Sequence, residues 1–295
     1  VFVNWNRVDN GPGTNPRYNW SVIDQLIAPW VPAGKIVNLL LDGTGYQGQV
    51  LQAVPAWLQP QLQTVTCGVD IAPVYWQAAY VSNWQTYVAA VVRHYAANPS
   101  VGYIHVGVGS GAQTLVVGVR NAPCLARWNA IGYQSHWPAY VQQMIAFAGS
   151  LHSSKQLLVS FNDYSNDPPA AQIAQQDAAG GIGFGFSGLQ ARDVTAYLAH
   201  QPCNQTNWCA LYDQCAGKMP PYVYIWSRFH DTISTERSLF GGIGPKPGRC
   251  RCGLERPMLA AWKTPPSCHG QYSGQLLRSV DRASGGRALS LNGTL

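Results

Sequence analysis

The stretch that decides the fold is Val101-Gly-Tyr-Ile-His-Val-Gly-Val-Gly-Ser-Gly-Ala-Gln-Thr114. Its first half mixes apolar and small residues as a buried strand does. Its second half runs out into a glycine-rich loop. Immediately before it, Asn83 to Asn98 reads as an amphipathic helix, and only Pro99-Ser100 separates the two. A helix joined by so short a link to a strand buried on both faces is the unit from which parallel α/β sheets are built.

The same alternation extends outward in both directions. Toward the C-terminus the pattern gives helix 136–151, strand 156–162, helix 168–179, strand 182–187, helix 191–200 and strand 222–227. Toward the N-terminus, Val1 to Val3 start a first strand that ends in Asn4, Trp5 and Asn6, and Asp9 to Gly13 form a turn cluster. Ile23, Leu26, Ile27 and Trp30 then recur at helical spacing behind Ser21, a candidate N-cap. Gly34-Lys35 closes that helix, and the almost wholly apolar Ile36–Leu41 strand ends at Asp42-Gly43. Residues 51–79 parse less cleanly: Val65-Thr-Cys-Gly suggests a third strand or its loop, and Pro73-Val-Tyr-Trp a docking segment. Seven strands up to Trp226 predict an α/β fold of the (β/α)₈ TIM-barrel type, one strand short of closure at its C-terminal end.

Composition narrows the class. The chain has 295 residues, of which 46% are hydrophobic and only 11% charged, against about 25% charged in ordinary soluble domains. Its formal charge of +6 is not spread over the body: residues 1–239 hold 11 basic and 11 acidic side chains, and residues 240–295 hold 8 and 2. A neutral body with a basic tail argues against nucleic acid as a partner. No run of about 18 apolar residues is present, so no membrane span is expected.

Eight cysteines form an even set without zinc spacing, since Cys203, Cys209 and Cys215 have five residues between each and the next. Disulfides and an oxidising compartment are therefore expected, with Cys67 and Cys124 close together and two of the 203/209/215 set paired. The sequons Asn19-Trp-Ser, Asn204-Gln-Thr and Asn292-Gly-Thr agree with a secreted or periplasmic location. Two regions are predicted: a barrel over 1–239 and a basic Gly/Pro/Arg-rich segment over 240–295 that lacks an apolar period. The latter is read either as a functional tail or as the product of a truncated or frame-shifted coding region.

Tyr18-Asn-Trp-Ser-Val-Ile-Asp-Gln-Leu-Ile-Ala-Pro-Trp-Val-Pro-Ala-Gly-Lys resembles the first helix of clan A glycoside hydrolases, the barrel group that includes cellulases and β-galactosidases. Pro73-Val-Tyr-Trp and Asn83 to Ile104 are similar to their third helix and fourth strand. The resemblance implies a carbohydrate substrate and two carboxyl groups, an acid/base after the fourth strand and a nucleophile after the seventh. The chain has only two glutamates, Glu236 and Glu255. On this alignment Gln113 occupies the acid/base region and Tyr224 the nucleophile position, so the usual pair is missing.

The remaining carboxylates supply the candidates. Asp163 and Asp231 are the catalytic pair to test, with Asp42 at the same rim and Asn162, Arg228 and His230 as polar neighbours. Trp5, Trp57, Trp76, Tyr164 and Trp226 are candidate sugar-stacking platforms. No cofactor or metal is implied. Gly-x-Ser-x-Gly is absent, and the glycine runs at 107 and 180 lack the geometry of dinucleotide loops. Three functions compete: a glycosidase with an aspartate-based or divergent site and weak activity, a non-catalytic carbohydrate-binding barrel, and an inactive truncated product.

Overall fold

The computed structural model describes residues 1–45, 51, 53–161, 173, 176, 177, 179–187 and 221–224. Asn162, Asp163, Tyr164, Trp226, Arg228, His230 and Asp231 lie outside the described residues, as do Cys203, Cys209, Cys215, the predicted 191–200 helix and the 240–295 segment.

Six strands form one parallel sheet: β1 (Phe2–Asn4), β2 (Val37–Asp42), β5 (Val101–Val106), β6 (Leu157–Phe161), β7 (Gly183–Ser187) and β8 (Pro221–Tyr224), in that spatial order. Register runs straight across them, pairing Phe2 with Leu40, Leu40 with His105, His105 with Leu158 and Leu158 with Gly183, and at the far edge Gly185 with Tyr222. Chain order and spatial order coincide, as successive crossover units require.

The expected third strand of the sheet is not there. Residues 64–73 form instead an antiparallel hairpin, β3 (Thr64–Cys67) and β4 (Asp70–Pro73), and β2 pairs directly with β5. The signal was the Cys67-Gly68-Val69-Asp70 sequence, a two-residue hairpin loop whose first central residue has φ of +69°, a conformation that glycine adopts without strain. Among the described residues the parallel sheet therefore has six strands, not seven.

Helices cover one face. On α2 (Ala78–Tyr95) the buried residues Tyr80, Val81, Trp84, Tyr87, Val88, Val91, Val92 and Tyr95 fall on one stripe, and on α4 (Tyr133–Ser150) Tyr133, Trp137, Tyr140, Val141, Met144, Ile145 and Ala148 do the same. Both stripes join one core with Leu39, Leu41, Ile104, Val106, Leu157 and Val159 of the sheet. Each such side chain stabilises by roughly 1.5–3 kcal/mol when removed from water. α2 starts five residues before the predicted Asn83 because its apolar stripe continues through Tyr80 and Val81, and no side chain caps its N-terminus. α1 (Ser21–Ile27) likewise starts without a side-chain cap. Ser21 donates to Asn19 Oδ1 rather than capping the helix.

The helix α3 (Ala122–Ala130) was not anticipated. Its signals were Asn121, whose side chain accepts from Cys124 N–H at 3.2 Å, and Pro123 in the first turn. The expected proximity of Cys67 and Cys124 is realised as a disulfide with Cα atoms 5.2 Å apart, tying the hairpin to α3. Farther along, Ile173, Gln176, Asp177 and Ala179 are helical. Asp177 is fully buried, both of its oxygens lack hydrogen-bond partners among the described residues, and desolvation pushes its carboxyl well above the usual carboxylate range.

Candidate functional site

Because the six strands are parallel, their C-terminal ends lie on one side of the molecule, and the connections leaving them form a rim. Asn4-Trp5, Asp42 to Gly45, Gly107 to Thr114, Phe161, Ser187 and Tyr224 all arrive there. The best described part is the seam between the exits of β2 and β5.

Asp42 caps its own strand. Its Oδ1 accepts from Thr44 N–H at 3.1 Å and from Gly45 N–H at 3.0 Å. The Thr44 hydroxyl donates to the Gly109 carbonyl at 3.2 Å, and Gly111 N–H donates to the Gly45 carbonyl at 3.1 Å, so the two exits are stitched together. Desolvation raises the Asp42 carboxyl above its ordinary value, opposed by the amides of Thr44, Gly45 and Ala112.

The glycine-rich loop is clamped from the helix side. Trp84 Nε1 donates to the Gly107 carbonyl at 2.9 Å, Tyr140 Oη to Val108 at 2.8 Å, and Trp128 Nε1 to Val117 at 2.8 Å. These bonds satisfy carbonyls that have left the sheet ladder, which in a buried loop are otherwise costly. They also explain the glycines: a Cβ at Gly107 would stand 2.2 Å from the Leu41 carbonyl oxygen, and one at Gly109 would stand 2.3 Å from that of Leu115. Ala112 is held at φ of +61°, a left-handed conformation unusual for a residue with a Cβ. Thr114 N–H donates to the Ser160 carbonyl at 3.1 Å, which fastens the loop to β6.

The rim residues expected to meet substrate divide unevenly. Asp42 and Gln113 are 2% and 4% exposed. Both lie at the seam, and the Asp42 carboxyl is closed off by the amides of its own loop. Trp5 is wholly buried, its Nε1 donating to Asp9 Oδ2 at 3.0 Å, while Arg17 grips Asp9 through Nε at 3.1 Å and a terminal nitrogen at 3.2 Å. It serves the core, packing against Trp57, Tyr80, Trp84 and Tyr87, and offers no open face for a sugar. Trp57 is half-buried under the Arg17 guanidinium, and Trp76, also half-buried, lies against Trp128 and His136. Tyr224 ends β8. Among the described residues no three His, Cys, Asp or Glu side chains come together as metal ligands, and no helix is long and apolar enough to cross a membrane.

In the parallel sheet β5 is the third described strand, β6 the fourth and β8 the sixth, so Gln113 follows the exit of β5 and Tyr224 ends β8.

No family model matches this chain, and no curated protein does. Solved structures do. A β-galactosidase from the psychrophilic Marinomonas ef1 is 12% identical with a TM-score of 0.40, over 66% of this chain and 37% of that one. A β-galactosidase from Bacillus circulans sp. alkalophilus is 9% identical with a TM-score of 0.41, over 68% and 38%. A psychrophilic family 10 endo-β-1,4-xylanase is 11% identical with a TM-score of 0.37, over 79% and 67%. The chain thus spans well under half the length of the β-galactosidases it matches. At these scores the likeness adds nothing to the strand order and register, which define the fold as α/β with a parallel sheet.

Proposed function

We propose that this chain is a (β/α)₈ barrel of the clan A glycoside hydrolase type that takes carbohydrate at the C-terminal rim of its strands, with weak hydrolytic activity centred on Asp163. The observation that carries this reading is the parallel sheet, whose strand exits share one rim. β6 ends at Phe161 and the sequence continues Asn162-Asp163, so a carboxyl group follows that exit within two residues.

Asp163 is the proposed proton donor to the leaving oxygen, and Asp231, beyond the sixth strand, the proposed second carboxylate. An aspartate is one methylene shorter than the glutamate usual in such sites, and this supports low rather than high turnover, since catalytic groups need near-exact placement. The buried Cys67–Cys124 bridge supports a secreted or periplasmic location.

A panel of chromogenic glycosides, run beside binding measurements on the same oligosaccharides, tests the proposal. Slow turnover is expected, abolished by Asp163→Asn and by Asp231→Asn with near-UV circular dichroism unchanged. Gln113→Glu should not raise it. Turnover insensitive to both aspartate changes overturns the assignment. The burial of Asp42, Gln113 and Trp5 favours a second reading, a non-catalytic carbohydrate-binding barrel, and binding without turnover in wild-type protein selects it.

A further inference from the structure

We infer that Asn19 is an acceptor for an N-linked glycan. The inference does not depend on the function proposed above. It rests on three observations at one turn of the chain.

Asn19-Trp20-Ser21 has the acceptor spacing, a hydroxyl residue two positions after an asparagine with a non-proline between. Asn19 and Ser21 are both exposed, while the intervening Trp20 is half-buried. The Trp20 ring stacks on His94 with centroids 4.3 Å apart and planes 14° from parallel, and its carbonyl accepts from Tyr95 Oη at 3.4 Å. The middle residue thus anchors the turn while its two neighbours stay in water. Finally, the Ser21 hydroxyl donates to Asn19 Oδ1 at 2.6 Å. That bond orients the amide by its oxygen and leaves Nδ2, the atom that must be substituted, with no acceptor among the described residues.

The location suits a bulky modification. Asn19 N–H donates to the Val8 carbonyl at 2.8 Å and Trp20 packs against His94 in the last turn of α2, so the sequon is held between the loop that leaves β1 and that helix end, with Asn19 itself exposed. The Cys67–Cys124 disulfide is independent support for passage through an oxidising compartment, where such transfer takes place.

The co-reactant is a lipid-pyrophosphate-linked oligosaccharide. The bond from its anomeric carbon to the phosphate oxygen breaks, the lipid pyrophosphate leaves with the electron pair, a bond forms from that carbon to Nδ2, and one Nδ2 proton passes to solvent.

The test is expression of the full chain behind a secretion signal in a eukaryotic host, followed by amidase release of glycans in heavy-oxygen water and peptide mass mapping. Position 19 should appear as aspartate carrying the heavy oxygen. The same digest reports the sequons at Asn204 and Asn292 separately. Asn19→Gln and Ser21→Ala should each remove this modification, and Ser21→Thr, which keeps the hydroxyl, should retain it. An unmodified Asn19 in secreted protein whose Cys67–Cys124 bridge has formed overturns the inference, as does a modification that survives Ser21→Ala.

Discussion

The two faces of the parallel sheet are buried by different chemistry. On the helix-covered face, Leu39, Leu41, Ile104, Val106, Leu157 and Val159 are apolar throughout and share one core with the aromatic stripes of α2 and α4. On the opposite face, register lines up Leu40, His105 and Leu158, with Ser160 two residues further along β6 opposite Gly185, and all of these are buried although they stand outside that core. The helix face is held by area. The other face buries polar groups in mixed company, and it gives up hydrophobic stabilisation to do so.

Truncating Trp84 to alanine should give the largest effect. It removes a wholly buried indole and strands the Gly107 carbonyl, and denaturant unfolding should show a loss of about 3–5 kcal/mol or more. A loss below about 1 kcal/mol would mean that the helix face is not the main store of stability.

Leu41→Ala and Leu40→Ala sharpen the contrast directly, because they are neighbours on opposite faces and both are buried. Each should cost about 2–5 kcal/mol. If Leu40→Ala proved nearly neutral while Leu41→Ala did not, the second face would be hydrated.

His105 distinguishes the faces by pH. Desolvation lowers its imidazole to about 3 from an ordinary 6.5. The unfolded chain therefore takes up the proton first, so this contribution to stability is complete above pH 6.5 and is lost as pH falls toward 3. His105→Leu should flatten stability against pH in that window by about one proton, measured by denaturant midpoints at successive pH values. An unchanged slope would break the account of this face. The smallest effect belongs to the periphery: Asn121→Ala removes the α3 cap and should cost about 0.5–2 kcal/mol in the same unfolding measurement.

Where the chain's own periodicity was strong, the elements could be read directly. The 3.6-residue recurrence of Tyr80, Trp84, Val88 and Val91, and the apolar run of Ile36 to Leu41, are local signals that need no partner to interpret. The hairpin was misread because Thr64 to Pro73 satisfies a strand pattern equally well in either sheet. Whether it joins the main sheet depends on whether β2 finds β5 first, which is a matter of long-range pairing.

By itself the sequence determined the alternation of helices and strands and the scarcity of glutamate, because composition, spacing and amphipathic period are properties of residue order. Only the tertiary structure decided that Asp42, Gln113 and Trp5 are buried: burial is set by neighbours distant in the chain. A polar or aromatic residue at a strand end looks the same in sequence whether it meets solvent or, like Asp42 beneath Thr44 and Gly45, closes a seam.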